Sequence, residues 1–461
     1  MDKIKFSGKI IILEKENKFD FDGKQLKIQL YDREEAESLL YSKDKNGALC
    51  FCGGNPIPSE YISGVVLPEN KRIVFKIQTE NYGITNVILL NGLTDIYINV
   101  YRYMIIEDTH SKSKETTLSY QSLYFHHFLG LIPNYNMIID KNNNAIANVE
   151  VCKEIIQKQK SKFSINNNEY VISPNYSYTC GVGKFVFMPQ LTLKTRNNLS
   201  IDEIWKMYDV FCRVIRFLFL RNNIYPDKFI IQNTKATYTI YEREWEYEIE
   251  EDENLNRPNV FHSVRWARVY KNIGNIFNYF YSNKGDNILS SLYDSKKERY
   301  LYSKKLISSD AATFEHIFDE MYPNFTVHSE KGNEKFEEVK VELENLLKNS
   351  SGKKRKIYKK VIKGLNHVQL KDKLLFSLNE YHSAFQKYNS IGRKNTSNEE
   401  IADVCAKYRN DIDHGNDGVI IDKIACEKLV YMRLLIVVLY YSVFGINKEQ
   451  ISEILCDLFA Q

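Results

Sequence analysis

The spacing of apolar residues changes period partway along the chain. In the first half, polar and apolar positions alternate, as in strands with one buried face. Residues 72–78 and 96–106 show this best, and 117–125, 170–178, 184–194 and 237–249 follow. Turn-forming clusters separate these runs: Gly53-Gly54-Asn55-Pro56, Pro68-Glu69-Asn70, Lys141-Asn142-Asn143-Asn144 and Asn166-Asn167-Asn168. One helix interrupts the strands. Ser200 is placed to cap it, Glu203 follows at the third position, and Ile204, Tyr208, Phe211, Ile215 and Phe219 form one face.

An acidic run from Glu242 to Glu253 marks the change, and after Pro258 the pattern is helical almost to the end. The predicted helices are 264–281, 310–321, 333–347, 354–365, 370–388, 398–413, 422–444 and 448–459. Ser350-Ser351-Gly352, Gly392 and Gly415 fall where helices should stop. The expected class is therefore α+β. A β-rich N-terminal domain over residues 1–255, sandwich-like or barrel-like with one embedded helix, precedes an all-α bundle over 256–461.

The 461 residues suffice for two or three domains. A net charge of +4 excludes a general polycation, so any nucleic-acid contact has to come from local patches. The eight cysteines are scattered, and the N-terminus has no apolar signal core; a reducing cytoplasm with free thiols is expected. The most apolar stretch, 429–444, contains Arg433 and falls short of the about 20 residues of a membrane span. It predicts a buried or interface helix, and no membrane partner.

The chemistry-bearing candidate closes the helix over 398–413: Arg409-Asn410-Asp411-Ile412-Asp413-His414, followed by Gly415. Asn398 is a plausible cap for its start. Histidine titrates near neutrality and can move protons, while arginine stays charged and presents a planar fork of donors to phosphate. A nuclease acting on RNA without metal needs both functions, because the 2′-hydroxyl is its nucleophile. Asn410 can orient either group. Spacing alone carries little: an arginine and histidine this far apart arise roughly once by chance in such a chain. Arg257-Pro258-Asn259-Val260-Phe261-His262 is such a pair, with its histidine at a helix start. Asn410 directly after the arginine, and Gly415 ending the helix, set the second pair apart. On a regular helix residues five apart point about 140° from each other. His414 therefore has to lie in a frayed last turn to swing towards Arg409, or a second chain has to complete the site. The bland alternative is a cationic pair at a helix C-terminus.

Residues from about 330 to 461 resemble an HEPN domain, specifically the type found in ApeA-like anti-phage defence proteins. The motif from Arg409 to His414 carries the resemblance. The upstream stretch Phe314-Glu315-His316-Ile317-Phe318-Asp319-Glu320-Met321-Tyr322-Pro323 resembles segments preceding the domain in that group. The resemblance implies a metal-independent endoribonuclease without cofactor, with Arg409, Asn410 and His414 in the site. It implies a homodimer whose two motifs face each other, acting in abortive infection on cellular RNA, tRNA being the leading candidate. The β-rich domain would sense a phage-derived trigger, select substrate or restrain the nuclease. The alternative is a non-catalytic dimerisation or binding module. Asp411 and Asp413 place two carboxylates beside the site, where they either repel phosphate, face away or raise the histidine pKa.

Other features weigh less. Lys353, Lys354, Arg355 and Lys356, with Lys359, Lys360 and Lys363, form the strongest basic cluster, fit either for RNA phosphate or for a solvated helix face. Cys50-Phe51-Cys52 has no second cysteine pair to complete a zinc site. Cys180-Gly181-Val182-Gly183-Lys184 has Phe185 where a phosphate loop needs Ser or Thr, and reads as a hairpin turn. His126-His127 sits in an aromatic run and reads as packing.

Overall fold

Alternating short runs such as Gln25-Leu26-Lys27-Ile28-Gln29-Leu30 put every second side chain on one face, and that face is buried in this strand. The computed structural model describes residues 5–12, 15–31, 41–43, 49–51, 61–77, 84–90, 93–109, 114–122, 124–131, 134–139, 145–150, 158–181, 184–242, 263–294, 298, 303–326, 330–365, 368–392, 396–415 and 420–459. Outside these lie the turn clusters at 53–56 and 141–144, Cys52, Cys152, Val182-Gly183, all but Glu242 of the acidic run, and the Arg257–His262 pair.

By compactness the chain divides into two units. One comprises Met1–Cys212 with Tyr225–Phe261, the other Arg213–Ile224 with His262–Gln461.

In the first unit six antiparallel strands close on themselves. Phe6–Ile12 pairs with Lys15–Phe21, which pairs with Gln25–Leu30, which pairs with Leu93–Asp108. Leu93–Asp108 then pairs with Lys71–Ile77, which pairs with Tyr61–Leu67, which returns to Phe6–Ile12. Closure removes the free edges that an open sheet exposes. The interior is packed: Phe75 meets Phe19 and Phe21 edge-on at 5.5 and 5.1 Å, and Phe21 meets Tyr103 at 5.0 Å. Gly8 is required by close approach, because a Cβ there would lie 2.0 Å from the Val65 carbonyl oxygen and 2.7 Å from the Phe19 ring.

From Leu93–Asp108 the sheet continues through Ala236–Glu242, Lys228–Gln232, Thr116–Gln121, Lys184–Thr195 and Asn168–Gly181 to Ser161–Ile165. The last long pair ends with Gly181 opposite Lys184, the register of a tight hairpin. Helix α1 (Phe125–Leu129) carries His126, whose Nδ1 lies 3.3 Å from the Leu131 carbonyl oxygen and whose ring packs on Phe187. Helix α2 (Ile201–Phe219) starts with a reciprocal cap. The Glu203 amide donates to the Ser200 hydroxyl, and the Ser200 amide donates to the Glu203 carboxylate. Its first part lays Tyr208 and Phe211 on Phe229 and Tyr120.

The second unit is helical. Its members are the end of α2, then α3 (Trp266–Val269), α4 (Ile273–Tyr281), α5 (Asp286–Ser290), α6 (Lys304–Met321), α7 (Glu330–Lys348), α8 (Gly352–Leu365), α9 (Leu370–Glu380), α10 (His382–Gly392), α11 (Asn398–Asp413), α12 (Lys423–Val443) and α13 (Lys448–Phe459). Phe217 of α2 packs against Phe280, Tyr440, Tyr441 and Phe444. The apolar α12 is the central element, in contact with α6, α9, α11 and α13. Arg433 interrupts its apolar run because Asp310 of α6 faces it. Nε and Nη2 donate to the two carboxylate oxygens at 3.0 and 2.7 Å, and the guanidinium stacks on Tyr293 at 3.8 Å. No helix of the described residues is long and apolar enough to cross a membrane.

Candidate functional site

The motif lies on α11, whose inner face buries Ile401, Ala402 and Cys405 against α6, α9 and α12. Burial pushes the Cys405 thiol up to about 12, so it is an inert core group. Ser397, one residue before the expected Asn398, caps the helix: its hydroxyl accepts from the Glu400 amide. At the other end the His414 amide donates to the Asn410 carbonyl oxygen and the Gly415 amide to that of Ile412. Gly415 has a φ of +73°, the left-handed conformation that ends a helix and favours glycine. His414 is thus the last helical turn's closing residue, with a φ of −82° and a ψ of 5°.

Arg409 is half-buried and already occupied. Its Nε lies 3.0 Å from Asp413 Oδ2, its Nη1 donates to Asn410 Oδ1 at 3.2 Å, and its Nη2 lies 3.8 Å from Glu315 Oε2. Asp413 is held in turn by the Ser308 hydroxyl, which donates to Oδ1 at 3.1 Å. Glu315 also approaches Lys373 of α9 at 4.0 Å, and Lys373 pairs with Asp319 at 2.7 Å. Ser308, Glu315 and Asp319 recur at intervals of seven and four residues, along one edge of α6. The result is a line of polar groups of alternating charge joining α6, α9 and α11.

Arg409 and Asn410 are therefore in direct contact, whereas His414 is not brought to them. Its ring is exposed and has no hydrogen-bond or ion-pair partner among the described residues. Of the two acidic motif residues, Asp413 turns to the arginine instead of facing away. Sequence reasoning quoted Glu315 without a role and did not single out Ser308 or Lys373. The polar edge of α6 was the available signal, but its partners are 54 to 105 residues away in the chain.

The basic cluster lies on α8. Lys353, Lys354, Arg355, Lys356, Lys359 and Lys360 are all exposed, and no hydrogen bond or ion pair links them to the motif among the described residues. Cys50 lies on a short strand at 49–51 with Cys52 outside the described residues, and no group of three His, Cys, Asp or Glu among the described residues is placed to hold a metal.

Residues 311–450 match the family model described as Apea-like HEPN. The match covers α6 from Ala311 onward and every later helix except most of α13, so it contains Glu315, Asp319, Lys373 and Arg409 to Asp413 but not Ser308. No curated protein and no solved structure matches the chain.

Proposed function

We propose, from an HEPN domain over residues 311–450 that resembles ApeA-like proteins and belongs to a nuclease-type, defence-associated class, that this protein is a metal-independent endoribonuclease acting in abortive infection. The observation that carries the reading is the placement of Arg409, Asn410 and His414 in the last turn of α11, with the histidine ring open to solvent. His414 takes the proton from the RNA 2′-hydroxyl, or returns one to the leaving oxygen. Arg409 places its forked donors on the phosphate as negative charge builds there. Asn410, already bonded to Arg409, holds the guanidinium plane.

One motif supplies one histidine, so general acid and general base at the same phosphate call for two copies. Ile420 and Ile424, 82 and 65% exposed just beyond the motif, support a homodimer with a composite site. Cellular RNA is the substrate class, tRNA the leading candidate, and a phage-derived trigger on the β-rich unit is the proposed control.

The test is cleavage of total cellular RNA by purified protein, with the ends mapped by sequencing. His414→Ala and Arg409→Ala are each expected to lower the rate by at least about 10²-fold, the usual worth of a positioned proton-transfer group, without changing the melting temperature. Wild-type cleavage is expected to survive chelator. Variants that cut at the wild-type rate would leave α11 as a dimerisation or binding element.

A further inference from the structure

Helices α7 and α8 differ from the rest of the helical unit: none of their described side chains is buried. They pack against each other as a hairpin. Leu343, Leu347, Tyr358 and Ile362 are half-buried, while Val339, Leu346, Ile357 and Val361 stay 43–59% exposed.

The charge on α8 is one-sided. Its fourteen residues hold seven Lys or Arg and no Asp or Glu. Elsewhere in this unit cations are used by the fold, as Lys373 is by Asp319, Lys448 by Glu380 and Arg433 by Asp310. On α8, Lys353, Lys354, Arg355, Lys356, Lys359 and Lys360 have no ion-pair partner among the described residues. Like charges three and four positions apart, as at Lys356 with Lys359 and Lys360, oppose helix formation by a few tenths of a kcal/mol each. A polyanion relieves that repulsion and releases its own counterions.

We propose that α8 is a docking element for RNA that engages the phosphate backbone without reading sequence. The choice of RNA as the polyanion rests on the nuclease reading. Charge disfavours the other occupant, a second hairpin: each hairpin carries eleven Lys or Arg against six Glu, so a second copy brings more of the same sign. Phosphate contact is favoured over base contact because Tyr358 is the one aromatic residue of α8 and is half-buried, which leaves no stacking platform.

The experiment measures affinity for a fluorescent single-stranded oligouridylate and for a mixed-sequence RNA of equal length, across a salt series, in full-length protein carrying His414→Ala so that the RNA persists. The triple change K356Q/K359Q/K360Q is expected to weaken both RNAs about equally, by about tenfold or more at low salt. It should also flatten the slope of log affinity against log salt by about 2, near 0.7 per lost contact. K356R/K359R/K360R, which keeps the charge, is expected to bind as the parent does, and circular dichroism to show unchanged helix content. Equal affinity and slope in parent and glutamine variant would overturn the proposal. So would a shift from dimer to monomer on sedimentation with RNA binding intact, which assigns the hairpin to self-association. These results are separable from the nuclease reading. Loss of cleavage in wild type with α8-dependent binding defeats only the catalytic assignment, while cleaving wild type with α8-independent binding defeats only the docking role.

Discussion

Two carboxylates hold the Arg409 guanidinium where a phosphate would have to sit. Asp413 takes Nε, Glu315 stands at Nη2 and Asn410 accepts from Nη1, so each forked edge of the side chain is at least half engaged. A helix C-terminus is an unfavourable place for an acid, yet Asp413 is fixed there by both Arg409 and Ser308. On the proposed nuclease reading, RNA binding would mean exchange of a carboxylate for a phosphate. Asp413→Asn removes the charge and keeps one acceptor oxygen, for Arg409, with its amide NH2 turned to donate to the Ser308 hydroxyl. Because exposed ion pairs are worth about 0.2–1 kcal/mol, it is expected to raise RNA affinity by up to about fivefold in the His414→Ala background. A fall in affinity would instead show that the charge of Asp413 is needed to aim the guanidinium. At this scale the end of α11 at Gly415 was legible. The restraint of Arg409 was not, because Glu315 and Ser308 come from a different helix and nothing local marks them as partners of α11.

Elements were legible where one face is buried and the period is clean. α11, α12 and α13 lie where the 3.6-residue repeat puts them. The stretch over 370–388 instead divides at Tyr381 into α9 and α10, and 264–281 divides into α3 and α4. The apolar spacing runs through both breaks, so hydrophobic pattern alone gives no stop signal there. The strands Phe6–Ile12, Lys15–Phe21 and Gln25–Leu30 did not stand out in the sequence. They are short and mix charged with apolar residues, and only pairing with one another gives their buried faces a common core. Arg433 could be read only as an interruption, since its reason lies in Asp310. That pair makes a prediction for the element: Arg433→Met alone strands a buried carboxylate and is expected to cost about 3–5 kcal/mol of stability in chemical denaturation. The double change D310L/R433M is expected to recover most of it; a double variant as unstable as the single one would show that packing around Tyr293, not charge, sets the cost.

At the scale of the molecule, the change from strands, the last ending at Glu242, to helices, the next starting at Trp266, was visible, but two things were not. Closure of six strands into a barrel depends on the pairing of Leu93–Asp108 with Lys71–Ile77, a long-range register that alternation does not encode. Membership of Arg213–Ile224 in the helical unit is equally hidden, because the pattern of α2 continues smoothly through Cys212. A fragment of residues 256–461 lacks Phe217 and therefore leaves the Phe280, Tyr440, Tyr441 and Phe444 cluster open. It is expected to lose the sharp thermal transition of the full chain, as large aromatic deletions in a core cost about 3–5 kcal/mol. A fragment that melts as cooperatively and at the same temperature would show that Arg213–Ile224 is dispensable.

The interleaving also bears on inheritance. The chain passes from the β-rich unit to the helical one, back again and across once more. No single break in the gene therefore yields both units whole. A lineage that exchanged its β-rich half by one recombination event would carry away, or leave behind, a piece of the helical unit. The two are expected to be inherited together and to diverge as a pair, with the β-rich unit changing by substitution on its surface more readily than by replacement of the unit.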